Sequence, residues 1–221
     1  MERDLADCYL QVGNLERAAA HVSEAQKRQH DNPYVITLKI KIACKQKDEA
    51  TARGLLPLLL QVDDPVFAFH RQSRVELEFG QVEAAYKYAQ LAVSTSDRPP
   101  FEALTNLTLC QIRTDRLNDA KETLGRLVQL YRRQRADVQT GLSARIALAE
   151  QKYEDALGYC AKFEGPDKPA HLAIKRDALR GLLEHTSMPA EERRGMSASV
   201  QQIDNKLRIM HGQVDWEIDP E

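Results

Sequence analysis

Apolar residues recur along this sequence at the spacing of one face of an α-helix, and each such stripe begins at an alanine. The alanines are Ala18, Ala52, Ala85, Ala120 and Ala156. Four residues after them come Val22, Leu56, Ala89, Leu124 and Cys160, and seven residues after them come Ala25, Leu59, Ala92, Leu127 and Phe163. Positions i, i+4 and i+7 share one helical face, so each alanine is predicted to lie in a helix with one buried side.

The same alanines define a repeat. Subtraction of their residue numbers gives separations of 34, 33, 35 and 36 residues. Twelve residues before them stand small or slender residues, Ala6, Ile40, Ser73, Thr108 and Ala144. Side chains of this size let two antiparallel helices approach closely, so a second helix is predicted before each alanine. The spacing therefore predicts a series of helical hairpins and an all-α architecture.

The predicted helix pairs cover 2–12 with 15–29, 33–46 with 48–61, 65–79 with 82–95, 99–113 with 117–133, and 136–150 with 153–163. Prolines stand near the boundaries between pairs, at Pro33, Pro65, Pro99 and Pro100. Proline suits the first turn of a helix, where its missing N–H is not needed. Pro57 instead falls inside the second helix of the second pair, and it is predicted to kink or shorten that helix.

A helix–turn–helix unit of about 34 residues is typical of tetratricopeptide repeats. The chain resembles proteins of this family over residues 1–163, in five repeats, and the first repeat matches best, at Tyr9, Gly13, Ala18 and Ala25. The resemblance implies a tetratricopeptide-type helical-hairpin solenoid wound as a right-handed superhelix. It also implies that partners bind on the concave face made by the first helix of each repeat.

The later repeats depart from the family pattern at two positions. The turn glycine recurs as Gly80, but elsewhere it is replaced by Lys47, Asp115 and Gln151. The aromatic residue matched by Tyr9 is replaced by Ala43, Glu76, Gln111 and Ala147. The repeats are therefore degenerate, and the nearly constant spacing carries the assignment.

Residues 164–211 are predicted to form an atypical sixth repeat with capping helices, after a turn-rich stretch and a helix over 169–185. The last helix starts near Pro189 and carries an apolar stripe, Met196, Val200, Ile203, Leu207 and Met210. A solenoid needs a terminal unit with one polar face, which favours a cap. The alternative is a stripe that docks onto a partner or a second copy, so that the chain self-associates through this helix.

The segment 212–221 is acidic and holds the single tryptophan, Trp216. A loose terminus is one interpretation of it. A short linear segment that inserts into a groove, in its own chain or in another protein, is the other.

Composition excludes several classes of protein. The chain is 43% hydrophobic and 29% charged, which is typical of a folded domain. Its net charge of −2 indicates no overall attraction to nucleic acid. No signal peptide and no apolar run long enough to span a membrane is present. The cysteines are far apart and form no C-x-x-C pair, which favours a reducing, cytoplasmic location. They are Cys8, Cys44, Cys110 and Cys160.

No constellation of residues supports catalysis. The sequence has no phosphate-binding glycine loop, no G-x-S-x-G elbow and no H-E-x-x-H metal motif among its six histidines. Apolar residues flank the cysteines, which are interpreted as small buried hydrophobes rather than nucleophiles. The prediction is a chain that is not an enzyme, with no cofactor, no metal site and no catalytic residue.

Family geometry applied to the first helices places a set of basic and polar residues on the concave face. The predicted partner-binding residues are Lys41, Lys45, His70, Arg71, Arg74, Asn106, Arg113 and Arg145. Glu78 alone opposes them at these positions, and leucines that include Leu38, Leu77 and Leu142 lie between them. Arginine favours bidentate contacts with carboxylates. The prediction is a protein-interaction scaffold with a basic, leucine-lined groove for an acidic peptide or partner protein.

Two alternatives remain at this point. The first repeat begins without a polar cap, which is compatible with a sensor or regulatory repeat domain cut from a larger signalling protein. Nucleic-acid binding in the basic groove is less favoured, because few aromatic residues interleave with the basic ones and stacking platforms are lacking. The carboxylate clamp by which family members hold chaperone tails is incomplete here, so that ligand is not predicted.

Overall fold

The computed structural model describes residues 1–29, 31–132, 135–163 and 168–210, and these ranges contain 12 α-helices and no strand. In chain order the helices are α1 (Glu2–Gln11), α2 (Leu15–Arg28), α3 (Pro33–Lys45), α4 (Glu49–Val62), α5 (Pro65–Glu78), α6 (Val82–Ser94), α7 (Phe101–Arg113), α8 (Leu117–Tyr131), α9 (Ala136–Ala149), α10 (Tyr153–Cys160), α11 (Pro169–His185) and α12 (Ala190–Ile209). Every predicted helix is present within a few residues of its predicted bounds. The all-α hairpin prediction is confirmed.

The chain divides into two compact units, Met1–Cys110 and Gln111–Glu221. In the first unit, consecutive helices pair as α1 with α2, α3 with α4, and α5 with α6. The first helices of neighbouring pairs also touch, since α3 packs against both α1 and α5. In the second unit, α9 pairs with α10 and α11 with α12, and α9 also packs against α11. Side-by-side packing of first helices is what lines up equivalent residues along one face.

The five repeat alanines are the closest-packed points of their hairpins. Each of them is 0% exposed. The residues twelve positions earlier are also buried, and Ala6, Ser73, Thr108 and Ala144 have no exposed surface at all. A larger side chain at either position would force the paired helices apart, because protein interiors are packed without spare volume. The alanines that define the sequence repeat are therefore also the equivalent buried positions of the successive hairpins.

The turn after the first helix has the same backbone in all five repeats. Gly13 and Gly80 have φ of +77° and +75°, and Lys47, Asp115 and Gln151 adopt the same left-handed region at +59°, +57° and +59°. The next residue then donates its N–H back to the residue that matches Tyr9, at N···O distances of 2.8 or 2.9 Å. This is the helix-ending arrangement that glycine favours. Loss of the glycine has left the turn intact but strained, since side chains with a Cβ are disfavoured there.

Restoring glycine at these turns is expected to stabilise the protein. We expect Gln151→Gly to raise the free energy of unfolding by about 0.5–1 kcal/mol, because relief of left-handed strain outweighs the larger entropy of the unfolded glycine chain. Asp115→Gly is expected to act in the same direction. Urea unfolding followed by circular dichroism measures both. Gln151→Ala is the control, because it shortens the side chain but keeps the strain; an equal gain from alanine would contradict the explanation.

Pro57 does not shorten its helix. Helix α4 runs from Glu49 to Val62 with Pro57 inside it, so of the two predicted effects, a kink or a shortening, the shortening does not occur. Proline removes one backbone hydrogen bond and crowds the preceding turn. Burial of Ala52, Leu56 and Leu59 on both sides of the proline offsets that cost.

The last two helices pack on each other. Ile203 and Leu207 on α12 are buried against Leu172 and Leu179 on α11, and Met196 and Val200 are partly buried in the same cluster. Most of the predicted docking stripe is thus occupied within the chain. The turn at 164–167 and the segment 212–221 lie outside the described residues. Within the described ranges, no helix is long and apolar enough to cross a membrane.

Candidate partner-binding face

One side of α3 and one side of α5 expose side chains at regular helical spacing. The residues are Tyr34, Thr37, Lys41 and Lys45 on α3, and Phe67, His70, Arg71 and Arg74 on α5, and all of them are exposed or half-buried. We call this surface the α3–α5 face. The residues between them, such as Val35, Ile42 and Val75, are buried against neighbouring helices. Five of the eight predicted partner-binding residues lie on this face.

The two halves of the face meet near the carboxyl ends of the helices. The Lys47 Nζ atom lies 2.7 Å from Glu78 Oε1, which joins the end of α3 to the end of α5. Burial and the Glu78 carboxylate raise the pKa of the half-buried Cys44 thiol to about 11, against the opposing effect of the Lys47 and Arg74 cations. Arg74 therefore lies close enough to α3 to act on Cys44. Lys45, one residue further along α3, is exposed.

Lys41 connects the face to the first helix of the chain. Its Nζ atom is 3.6 Å from Oδ1 of Asp7 on α1. Asp7 and Lys41 stand at the same position of successive repeats, eleven residues before Ala18 and Ala52. The contact is a long ion pair whose lysine is 38% exposed, so it contributes little to stability. It leaves the lysine able to turn toward another carboxylate.

Arg71 is held in place from two sides. Its Nη1 donates to Oδ2 of Asp63, which precedes α5. Its guanidinium also lies over the Phe67 ring, 5.8 Å from the ring centre. A guanidinium has five N–H donors, so the Asp63 contact leaves others for a ligand. Side-chain ordering that is already complete in the free protein lowers the cost of binding.

Two exposed aromatic rings stand at the amino-terminal edge of the face. Tyr34 is 37% exposed and Phe67 is 41% exposed, and both lie eighteen residues before the alanine of their repeat. Each ring has an arginine above it: Arg3 lies 5.6 Å from the centre of Tyr34, and Arg71 covers Phe67. Sequence reasoning missed these rings. Tyr34 and Phe67 stand the same number of residues before Ala52 and Ala85, and this equal spacing in the sequence was the signal that could have found them.

The leucines predicted to line the groove do not lie on its surface. Leu38 is 1% exposed, Leu77 is 6% exposed and Leu142 is 0% exposed. The prediction of a leucine lining is wrong for these three residues, because their positions point between the packed helices. Tyr34 and Phe67 provide the exposed apolar surface instead. The face also carries more negative charge than Glu78 alone, since Asp7 and Asp63 pair with Lys41 and Arg71.

Asn106 lies in the interior rather than at the surface. It is 2% exposed, and its Nδ2 donates to the hydroxyl of Ser73 at 2.7 Å. The Ser73 hydroxyl in turn donates to the carbonyl of Ala85, at 2.7 Å. These two hydrogen bonds connect α7 to α5 and α5 to α6, so they hold Asn106 against the third hairpin. Its Oδ1 atom has no hydrogen-bond partner among the described residues.

The remaining two predicted residues belong to the second unit. Arg113 is exposed at the end of α7, and Arg145 on α9 is half-buried. Burial and the cations of Lys168 and Arg145 lower the pKa of His171 on α11, so Arg145 lies on the side of α9 that faces α11. Burial also raises the pKa of the Cys160 thiol to about 11, against the effect of Lys175. A thiol with such a pKa is protonated at neutral pH and is a poor nucleophile.

No family model matches the sequence, and no curated protein matches it. Among solved structures, the chain is similar to PilW, a widely conserved type IV pilus biogenesis factor, with a TM-score of 0.66 and 15% identity over 97% of this chain and 94% of that one. It is also similar to pilF of Pseudomonas aeruginosa, with a TM-score of 0.62 and 18% identity over 96% of this chain and 91% of that one. These neighbours are tetratricopeptide repeat proteins. The chain therefore has the tetratricopeptide-type helical-hairpin solenoid fold.

Proposed function

We propose that this chain is a protein-interaction scaffold, and that the α3–α5 face holds an acidic segment of its partner. The observation that carries the proposal is the placement of Lys41, Lys45, Arg71 and Arg74 side by side on two packed helices, next to the exposed rings of Tyr34 and Phe67. Cations at this spacing suit a run of carboxylates, and the rings suit an apolar side chain between them. The role is one of binding, without a chemical step.

The charge on the face supports an acidic partner even after its own carboxylates are counted. Among the described residues Lys41 pairs with Asp7 and Arg71 pairs with Asp63, while Lys45 is exposed. Ion pairs that are partly open to water exchange partners at little cost. An incoming carboxylate can therefore replace water around the exposed Lys45 first and then share Lys41 and Arg71 with Asp7 and Asp63.

Charge reversal on the face is expected to abolish capture of the partner. We expect Lys45→Glu/Arg74→Glu to reduce the amount of partner that is retained from native lysate by about tenfold or more, because two attractions become repulsions. Mass spectrometry of the captured proteins measures it, and circular dichroism checks that the variant is folded. Lys45→Gln/Arg74→Gln removes the charges without reversing them and should give a smaller loss.

The matched control is Lys87→Glu/Arg98→Glu. Both residues are exposed in the first unit, and neither lies on the α3–α5 face. The change in net charge is the same as in the face variant, so a general electrostatic effect would appear in both. Equal retention of the partner by the wild type and the Lys45→Glu/Arg74→Glu variant would refute the proposed site. Retention of nucleic acid instead of protein would favour the nucleic-acid alternative.

The roles of Arg113 and Arg145 in binding, and a cytoplasmic location, belong to the same proposal. All four cysteines are free thiols, which suits a reducing compartment.

A further inference from the structure

The α3–α5 face has a chemical counterpart in the sequence of the chain itself. Segment 212–221 reads GQVDWEIDPE and contains no lysine or arginine. Its acidic residues alternate with other residues, at Asp215, Glu217, Asp219 and Glu221. In an extended chain, alternate side chains point to the same side. The four carboxylates would then form one edge of the segment, and Trp216, Ile218 and Pro220 would form the opposite edge.

The spacing of this acidic edge fits the spacing of the basic residues. Alternate residues of an extended chain are about 6.6 Å apart. Lys41 and Lys45 are four residues apart on α3, which corresponds to a rise of about 6 Å. Packed helices lie about 8–10 Å apart, so Arg71 and Arg74 on α5 form a second row at that distance. Pro220 favours an extended conformation at Asp219, which reduces the entropy lost when the segment binds.

The apolar edge also has a counterpart on the face. Where the segment passes the amino-terminal edge of the face, Trp216 would contact the exposed ring of Tyr34 or of Phe67, each of which has an arginine beside it. Aromatic pairs and arginine–aromatic contacts add to the attraction between charges.

We infer that the α3–α5 face binds segment 212–221 of a second copy of this chain. The inference rests on the proposed function of the face, and it names a partner for it. The contact joins two different surfaces, a face on one copy and a segment on the other, so it is heterologous. A heterologous contact that does not close into a ring adds copies one after another. Self-association should therefore rise with concentration without stopping at a dimer.

The test uses a fluorescein-labelled peptide of residues 212–221 with an amidated end, so that its carboxylates are those of the side chains. Titration with the full chain, followed by fluorescence anisotropy, should show saturable binding. The Lys45→Glu/Arg74→Glu variant should bind about tenfold more weakly, and the Lys87→Glu/Arg98→Glu control should bind as the wild type does. A peptide with Asp215, Glu217 and Asp219 changed to the corresponding amides should also bind weakly.

Trp216 provides the second measurement in the unlabelled protein, since it is the single tryptophan. Quenching by acrylamide, a neutral molecule, reports how exposed it is. Between about 1 μM and 1 mM protein, the range in which weak contacts titrate, Trp216 should become more protected as the weight-average mass rises in light scattering. Neither change should occur in the Lys45→Glu/Arg74→Glu variant.

Each other outcome overturns the inference in a distinct way. Protection of Trp216 that does not depend on concentration would place the segment on its own chain. The peptide could fail to bind while a partner captured from lysate still depends on Lys45 and Arg74. That result would exclude a second copy as the partner, but the proposed function would stand. Absence of both would remove the face as a binding site.

Discussion

Removal of the Arg53 guanidinium is expected to cause a large loss of stability, about 2–3 kcal/mol in the free energy of unfolding for Arg53→Met. Arg53 on α4 holds Glu76 on α5 through two hydrogen bonds, Nη1 to Oε1 at 2.6 Å and Nη2 to Oε2 at 2.8 Å. The Glu76 side chain is only 5% exposed, whereas Arg53 is 37% exposed. Methionine keeps the packing of the arginine stem but leaves a buried carboxylate without its partner. Because water reaches Arg53, the loss is expected at or just below the lower end of the range for buried pairs.

The control is the second ion pair that Arg53 makes. Arg53 Nε also donates to Glu49, at 2.8 Å, but Glu49 is 51% exposed. We expect Glu49→Gln to cost less than about 0.5 kcal/mol, as exposed helical pairs do. The double change Arg53→Met/Glu76→Leu should recover most of the stability, because it removes both charges together. Urea unfolding of the four proteins measures these differences, and a similar loss for Glu49→Gln and Arg53→Met would show that burial is not the cause.

A methyl group at Gly181 is expected to disrupt the second unit, with a loss of about 1–3 kcal/mol for Gly181→Ala. Gly181 is buried on α11, and a Cβ placed there would lie 2.2 Å from Cε1 of Tyr153 on α10. The Tyr153 ring is stacked on His185, one turn further along α11, with ring centres 5.7 Å apart. The Tyr153 ring is rigid, so the added methyl group must either displace the ring or push α10 and α11 apart.

The clash predicts a specific rescue. Tyr153→Ala costs stability on its own, but in the Gly181→Ala background it should cost much less, since it removes the atoms in the way. Gly195→Ala is the matched control, because Gly195 lies within the exposed part of α12 and a Cβ there meets nothing within 4 Å. That change should raise stability by up to about 1 kcal/mol, as alanine does inside a helix. Thermal unfolding measures all four variants, and additive losses for Tyr153→Ala and Gly181→Ala would contradict a clash.

The positions of the helices could be predicted because helical packing repeats. Ala18, Ala52 and the three later alanines set the phase of every hairpin, and their full burial confirms that phase. The turn positions followed from the same count, although three of them had lost glycine. The backbone of Lys47, Asp115 and Gln151 shows that the hairpin imposes the turn. Local preference is worth about 1 kcal/mol at such a residue, and packing of the helices on each side outweighs it.

The composition of the binding face could be predicted only in part. Counting from the alanines predicted Lys41, Lys45, Arg71 and Arg74 on one surface, and all four side chains are exposed or half-buried. The same count put Leu38 and Leu77 there, and both are buried. One step along a helix turns a side chain by about 100°, so positions at the edge of the stripe are decided by how the neighbouring helices cross.

By itself, the sequence determined the class of fold and the number and approximate bounds of the helices, and it predicted the cations of the candidate face. The helical periodicity of apolar residues and the placement of prolines are local properties of the chain, so they can be recognised in a single sequence before any contact is known. The tertiary structure alone decided which charges meet: Asp7 with Lys41, Asp63 with Arg71, and Arg53 with the Glu76 that stands where the first repeat has Tyr9. Two of these pairs join helices of successive repeats and the third joins α5 to the turn before it, and their strength depends on burial and on distances of a few ångströms. No spacing along the chain encodes those distances, because they are set by the packing of one repeat on the next.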